Sequence, residues 1–167
     1  KDLAIKTIFN LLGPLTNPAG ATRQVMGVYD VKWVRPLAEV LKELGSEHVM
    51  VVHSEDGLDE ISPYAKTNIV QLKDGKISEI VIDPNDLNVN ADNFKNLIGQ
   101  NSKFNSEKII EIYKGTSNEF SQSVALNTAA GLIVSGKESD FKNAFKKASE
   151  HLNSGKVFEH LTKLQSK

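Results

Sequence analysis

The 167-residue sequence contains no cysteine. That removes a disulfide framework, a thiolate metal site and a cysteine nucleophile together, and it suits a cytoplasmic protein. Charge of one sign is also missing: 20 basic residues meet 21 acidic ones, for a net charge of −1. Nothing in that balance supplies an electrostatic footprint for nucleic acid. No apolar run approaches the ~20 residues of a membrane span, and no signal peptide is visible. The sequence therefore predicts neither a nucleic-acid nor a membrane partner. The common catalytic signatures are absent as well. There is no Gly-x-Ser-x-Gly elbow, and the histidines (His48, His53, His151 and His160) show no HExxH spacing. Neither GxGxxG nor GxxxxGK[ST] occurs. Gly131–Lys137 comes nearest, but Glu138 stands where Ser or Thr is needed, and the stretch ends a helix where a phosphate loop would begin one. No EF-hand loop, internal repeat or low-complexity tract is present.

What remains is a mixed α/β pattern in a chain long enough to bury a core. Ile5, Ile8, Phe9 and Leu12 follow helical spacing, which predicts a short helix over Lys1–Leu12. Gly13-Pro14 should stop it, and the stiff turn Gly13–Gly20 follows. Gln24–Tyr29 reads as a strand, and Asp30 can cap a helix over Val31–Leu44, with Pro36 near its start. Val49–Val52 is a buried strand by composition. This β-α-β unit predicts parallel strands. Thr67–Leu72 and Lys76–Ile82 flank Asp74-Gly75, a hairpin signal. A loop with a short helix should fill Asn85–Gln100. Helices are then predicted over Ser106–Tyr113, Asn118–Val134, a stretch capped by Ser139, and Val157–Leu164. Ala129, Ala130 and Gly131 would let a neighbour approach closely, and Gly155 should end the helix before it. Two parallel strands and a hairpin make a thin sheet for so many helices. With a first residue that is Lys1 and not Met, this leads us to expect further strands before residue 1.

The chemical interest lies in His53–Ser62, His-Ser-Glu-Asp-Gly-Leu-Asp-Glu-Ile-Ser. Glu55, Asp56, Asp59 and Glu60 crowd a glycine-bearing loop directly after the apolar strand. Ligands of open α/β sheets sit outside the carboxyl ends of the strands. Mg²⁺ takes one or two carboxylates and leaves its other positions to water and substrate phosphates. A solvated acidic turn is the plainer reading of the same residues. His53 is the one histidine placed for chemistry, with a structural role as its alternative. Gly13 would let a ligand approach the backbone, or it is simple punctuation.

Thr7-Ile8-Phe9-Asn10-Leu11-Leu12-Gly13-Pro14-Leu15-Thr16-Asn17-Pro18-Ala19 resembles a signature in the second half of anthranilate phosphoribosyltransferases. His53–Ser62 and Ala125-Leu126-Asn127-Thr128-Ala129-Ala130 are similar to later segments of that family, at matching intervals, so the resemblance spans essentially the whole chain. It implies an α/β fold, part of a nucleoside phosphorylase/phosphoribosyltransferase-type catalytic domain with a mixed sheet flanked by helices. Residues 1–12 would belong to a small helical domain or hinge, and 13–167 to the C-terminal portion of the α/β catalytic domain. The implied reaction is transfer of the 5-phosphoribosyl group from phosphoribosyl pyrophosphate to anthranilate, releasing pyrophosphate, in tryptophan biosynthesis. The implied cofactor is Mg²⁺, held with the help of the adjacent pair Asp59 and Glu60. Gly13 and Pro14 match a segment near the path of anthranilate. Glu55 and Asp56 match less regular positions. Ser54 stands where many members have glycine, and Lys6 where many have arginine.

The family's Gly-Thr-Gly-Gly-Asp pyrophosphate loop and its Lys-His-Gly-Asn segment are not in this sequence. Both, with an arginine that contacts anthranilate, should precede residue 1. The expectation is a chain inactive alone, a homodimer when intact. A pyrimidine nucleoside phosphorylase-like enzyme and a non-catalytic fragment or split-enzyme subunit stay open as alternatives.

Overall fold

The computed structural model describes residues 13–89, 91 and 97–166. The helix expected over Lys1–Leu12 lies outside these residues, as does part of the loop and helix expected over 85–100. Strand β1 (Arg23–Gly27) pairs in parallel with β2 (His48–Ser54). Antiparallel pairs join β2 to β3 (Thr67–Lys73) and β3 to β4 (Lys76–Ile82), so the order is β1-β2-β3-β4. The mixed α/β sheet flanked by helices is as the sequence implied. Asp74 (φ 49°) and Gly75 (φ 73°) both take the left-handed region that a two-residue hairpin turn matching strand twist requires.

The β1–β2 crossover begins with a 3₁₀ turn, Val31–Trp33, and continues as α1 (Val34–Glu43). Asp30 caps the turn, its side chain accepting from the Lys32 N–H. Val34, Leu37, Ala38 and Leu41 bury the face that α1 turns to the sheet, against Met26, Val28, Val49, Val51, Val70 and Leu72. Strand alternation sends Met50, Val52 and Ile69 to the opposite face. There they meet Leu126, Ala129, Ala130 and Ile133 of α3 (Glu119–Val134). Helix α2 (Ser102–Tyr113) precedes α3, and α4 (Phe141–Asn153) and α5 (Lys156–Gln165) follow it. Among the described residues no helix is long and apolar enough to cross a membrane.

Several boundaries differ from the sequence reading for physical reasons. Residues 13–15 are helical where a stiff turn is expected, and the Thr16 N–H donates to the Gly13 carbonyl at 3.3 Å. Proline gives up only its own N–H, and the carbonyls about it still accept. Helix α2 starts earlier than expected because Asn101 caps it through the Phe104 N–H at 2.9 Å. Helix α4 is capped by Asp140 and not by Ser139, with Asp140 Oδ1 accepting from the Asn143 N–H at 2.8 Å. A carboxylate there also faces the positive end of the helix. The close approach of α4 to α3 uses Ala129 and Ala130, fully buried beside Ala144. Gly131 plays no part in it, since a Cβ there would meet nothing within 4 Å.

Candidate functional site

The carboxyl ends of β1 and β2 open onto a groove of about 450 Å³. Its floor is Val25 and Gly27 of β1 with Val52 of β2, on the sheet face that packs against α3. Asp59 and Glu60 form one rim, and Ser123, Val124, Asn127 and Thr128 of α3 form the other.

The acidic loop separates its carboxylates into two kinds. Gly57 (φ 89°) allows a tight turn in which the Gly57 N–H donates to the Ser54 carbonyl and the Ser54 N–H to the Leu58 carbonyl, both at 2.9 Å. Asp56 is committed to holding this turn. Its Oδ1 accepts from the Leu58 N–H at 3.3 Å, and its Oδ2 from the Ser62 hydroxyl at 2.5 Å. That hydroxyl in turn accepts from the Tyr64 N–H at 3.0 Å. Glu55 is exposed, with its N–H on the Lys66 carbonyl at 2.9 Å. Asp59 and Glu60 alone of the four are presented to the groove.

The Asp59-Glu60 backbone is fixed by residues the sequence reading gave no such role. A Cβ built on Gly27 would lie 1.7 Å from the Asp59 carbonyl oxygen and 2.7 Å from its carbonyl carbon. The loop therefore rests directly on the bare backbone of β1, and no other residue type fits there. On the far side Asn127 Oδ1 accepts from the Ile61 N–H at 3.0 Å. Asn127 Nδ2 donates to the Ile61 carbonyl at 3.1 Å and to the Ser123 carbonyl at 3.0 Å. The available signals were a glycine inside an apolar strand, which marks close backbone approach, and an amide within the apolar stretch Val124–Ala130.

The electrostatics follow from this placement. Glu60 is open to solvent as a whole residue, yet its carboxyl is held above the ordinary glutamate range, first by desolvation and then by the Asp59 charge. Two adjacent carboxylates with oxygen ligands only are a donor set for a hard cation. Among the described residues no three His, Cys, Asp or Glu side chains gather to hold a metal, so the pair does not form a closed protein cage. The arrangement suits Mg²⁺, which keeps water and substrate oxygens in its other positions.

The other sequence candidates lie elsewhere. Gly13 and Pro14 are exposed and do not line this groove. A side chain at Gly13 would meet nothing within 4 Å. His53 does not line the groove either; its Nδ1 sits 2.8 Å from the Val28 carbonyl and ties β2 to the segment after β1. His48 is buried at the opposite end of β2, where Gln71 Nε2 approaches its Nε2 at 2.7 Å.

A family model described as "Glycosyl transferase family, a/b domain" matches residues 1–158. Over 166 residues the chain is 51% identical to anthranilate phosphoribosyltransferase of Pelagibacter ubique (strain HTCC1062), covering 99% of this chain and 50% of the relative. The crystal structure of anthranilate phosphoribosyltransferase from Thermus thermophilus superposes with a TM-score of 0.84 at 33% identity, over 96% of this chain and 47% of that one. The enzyme from Saccharomyces cerevisiae, in complex with PRPP and Mg, gives 0.82 at 25% identity, over 95% and 46%. The chain thus spans about half the length of the curated relatives it matches.

Proposed function

The chain belongs to the glycosyl transferase family through its a/b domain, and on that premise we propose that it carries the Mg²⁺-holding half of an anthranilate phosphoribosyltransferase site. The substrates in this reading are phosphoribosyl pyrophosphate and anthranilate, and the products are phosphoribosyl anthranilate and pyrophosphate. The names of the matched relatives support the reaction. The yeast complex with PRPP and Mg supports the ligands. In this reading residues 13–167 belong to the C-terminal portion of the α/β catalytic domain. The family resemblance adds a homodimer and a cytoplasmic enzyme.

The observation that carries the proposal is the pairing of Asp59 and Glu60 on one groove rim at the carboxyl end of the parallel strands. That is where an α/β sheet places its ligands. When bound, Mg²⁺ would offset the negative charge that builds on the departing pyrophosphate. Asp59 and Glu60 supply the anionic oxygens. Gly27 and the loop turn about Gly57 fix the backbone that carries those side chains, so little backbone reorganisation is needed as the substrate arrives. Gly13 and Pro14 would bind substrate beside the path of anthranilate, where Gly13 lets a ligand approach the backbone. This reading assigns no acid, base or nucleophile to the chain, and the phosphate-cradling Gly-Thr-Gly-Gly-Asp loop is not in the sequence. In this reading these residues catalyse only together with that loop.

The test is an assay of the purified 167-residue chain with phosphoribosyl pyrophosphate, anthranilate and Mg²⁺, alone and with the N-terminal half of a relative. No product alone, and phosphoribosyl anthranilate on addition, is expected. Product from the chain alone would overturn the half-site reading. Phosphorolysis of thymidine or uridine by the mixture, without turnover of anthranilate, would overturn the substrate assignment.

A further inference from the structure

We propose that Asn127 is a positioning residue that sets the direction of the Glu60 carboxylate through the two backbone groups of Ile61. This rests on the metal-holding reading of Asp59 and Glu60. A peptide unit is planar, so the Ile61 N–H and the Glu60 carbonyl move as one plate. Asn127 Oδ1 grips that plate through the N–H at 3.0 Å. Nδ2 grips the next plate through the Ile61 carbonyl at 3.1 Å. The plate on the other side of Glu60 carries the Asp59 carbonyl, which rests on Gly27. Both peptide planes flanking the Glu60 Cα are therefore fixed, one by β1 and one by α3.

The amide is itself held. Nδ2 also donates to the Ser123 carbonyl of its own helix at 3.0 Å, which locks the side chain against α3. Its orientation is determined by its partners: turning the amide over would aim a donor at the Ile61 N–H and an acceptor at two carbonyls. The Ile61 side chain is fully buried, so its peptide groups have no water to fall back on and the clamp is their replacement. Asn127 touches no reacting atom in this account. Its effect runs through Glu60, as an outer partner orients a metal ligand.

The variants are Asn127→Ala and, as a matched control, Asn118→Ala. Asn118 caps the same helix through the Ser121 N–H at 3.0 Å, and its hydrogen bonds stay within that helix. Each is read by thermal unfolding, amide hydrogen exchange at Ile61, and Mn²⁺ titration as a spectroscopic substitute for Mg²⁺. Asn127→Ala should expose the Ile61 N–H to rapid exchange and weaken Mn²⁺ about tenfold or more. Asn118→Ala should lose stability yet keep both Ile61 protection and Mn²⁺ affinity. An Ile61 amide still protected in Asn127→Ala, or equal Mn²⁺ affinities in the two variants, would overturn the proposal. Absence of Mn²⁺ binding by the unmodified chain would instead overturn the metal reading, and the exchange result alone would then decide whether the clamp exists.

Discussion

Gly27 lies under Asp59 so closely that a methyl group there would sit 1.7 Å from the Asp59 carbonyl oxygen. The contact is backbone against backbone, so no side chain can swing away to relieve a substitution. It links the end of a buried strand to the start of the acidic pair, and it makes the position of the Asp59 backbone a property of the sheet.

Gly27→Ala should therefore lift the loop off β1. The cost of overpacking a fitted site is about 1–3 kcal/mol. Chemical denaturation should show that loss, and a Mn²⁺ titration should show weaker binding. Unchanged stability with unchanged affinity would mean the loop is not seated on Gly27.

Glu60→Gln should separate stability from ligand binding. The Glu60 carboxyl is held above its ordinary value by desolvation and by Asp59. For a raised carboxyl, the favourable contribution is present below the unfolded value and is lost as pH rises through the folded one. The wild-type chain therefore bears this cost at neutral pH. Glu60→Gln should unfold at an equal or higher temperature than wild type at pH 7, with the gap closing once the pH falls below the ordinary value of 4.5. Thermal melts across pH read this directly. A variant clearly less stable at pH 7 would contradict the assignment.

His48 should give the opposite pH dependence. Burial, then the charges of Lys73 and Arg23, hold it below the ordinary histidine value of 6.5. A depressed base binds its proton more readily in the unfolded chain, so stability falls as the pH drops below 6.5. His48→Gln keeps a polar partner for Gln71 and cannot titrate. The slope of unfolding free energy against pH between neutrality and pH 5 should flatten in that variant. An unchanged slope would assign the fall to other groups.

Asp140→Ala should cost about 1 kcal/mol, the usual value of an N-cap. Ser139→Ala should cost little, because the cap of α4 is the Asp140 carboxylate. Urea unfolding of the two variants distinguishes them, and the reverse ranking would restore Ser139 as the cap.

The sequence was most readable where a single local rule decides the outcome. The apolar run Val49–Val52 marks a buried strand, and Asp74-Gly75 sets the hairpin because both residues adopt the left-handed conformation that turn needs. Helix starts were harder, since neighbouring polar residues compete for one role. Ser139 and Asp140 both suit a cap, and only geometry separates them. The acidic loop was visible as a cluster, but the division of labour within it depends on contacts distant in sequence. Asp56 is engaged by Ser62, while Asp59 and Glu60 are held by Gly27 and Asn127. The Asn127–Ile61 pair spans 66 positions in the chain, beyond any periodic pattern. Gly13-Pro14 suggests a turn, yet residues 13–15 are helical, since proline forfeits a donor and leaves the acceptors in place.

Whether Asp59 and Glu60 hold a divalent cation decides what this groove does. Isothermal titration of Mg²⁺ into the 167-residue chain, its Asp59→Asn and Glu60→Gln variants, and the double variant tests this directly. Weak binding by the parent chain, reduced in each single variant and lost in the double variant, is the predicted result. Equal binding by the parent chain and the double variant would contradict it.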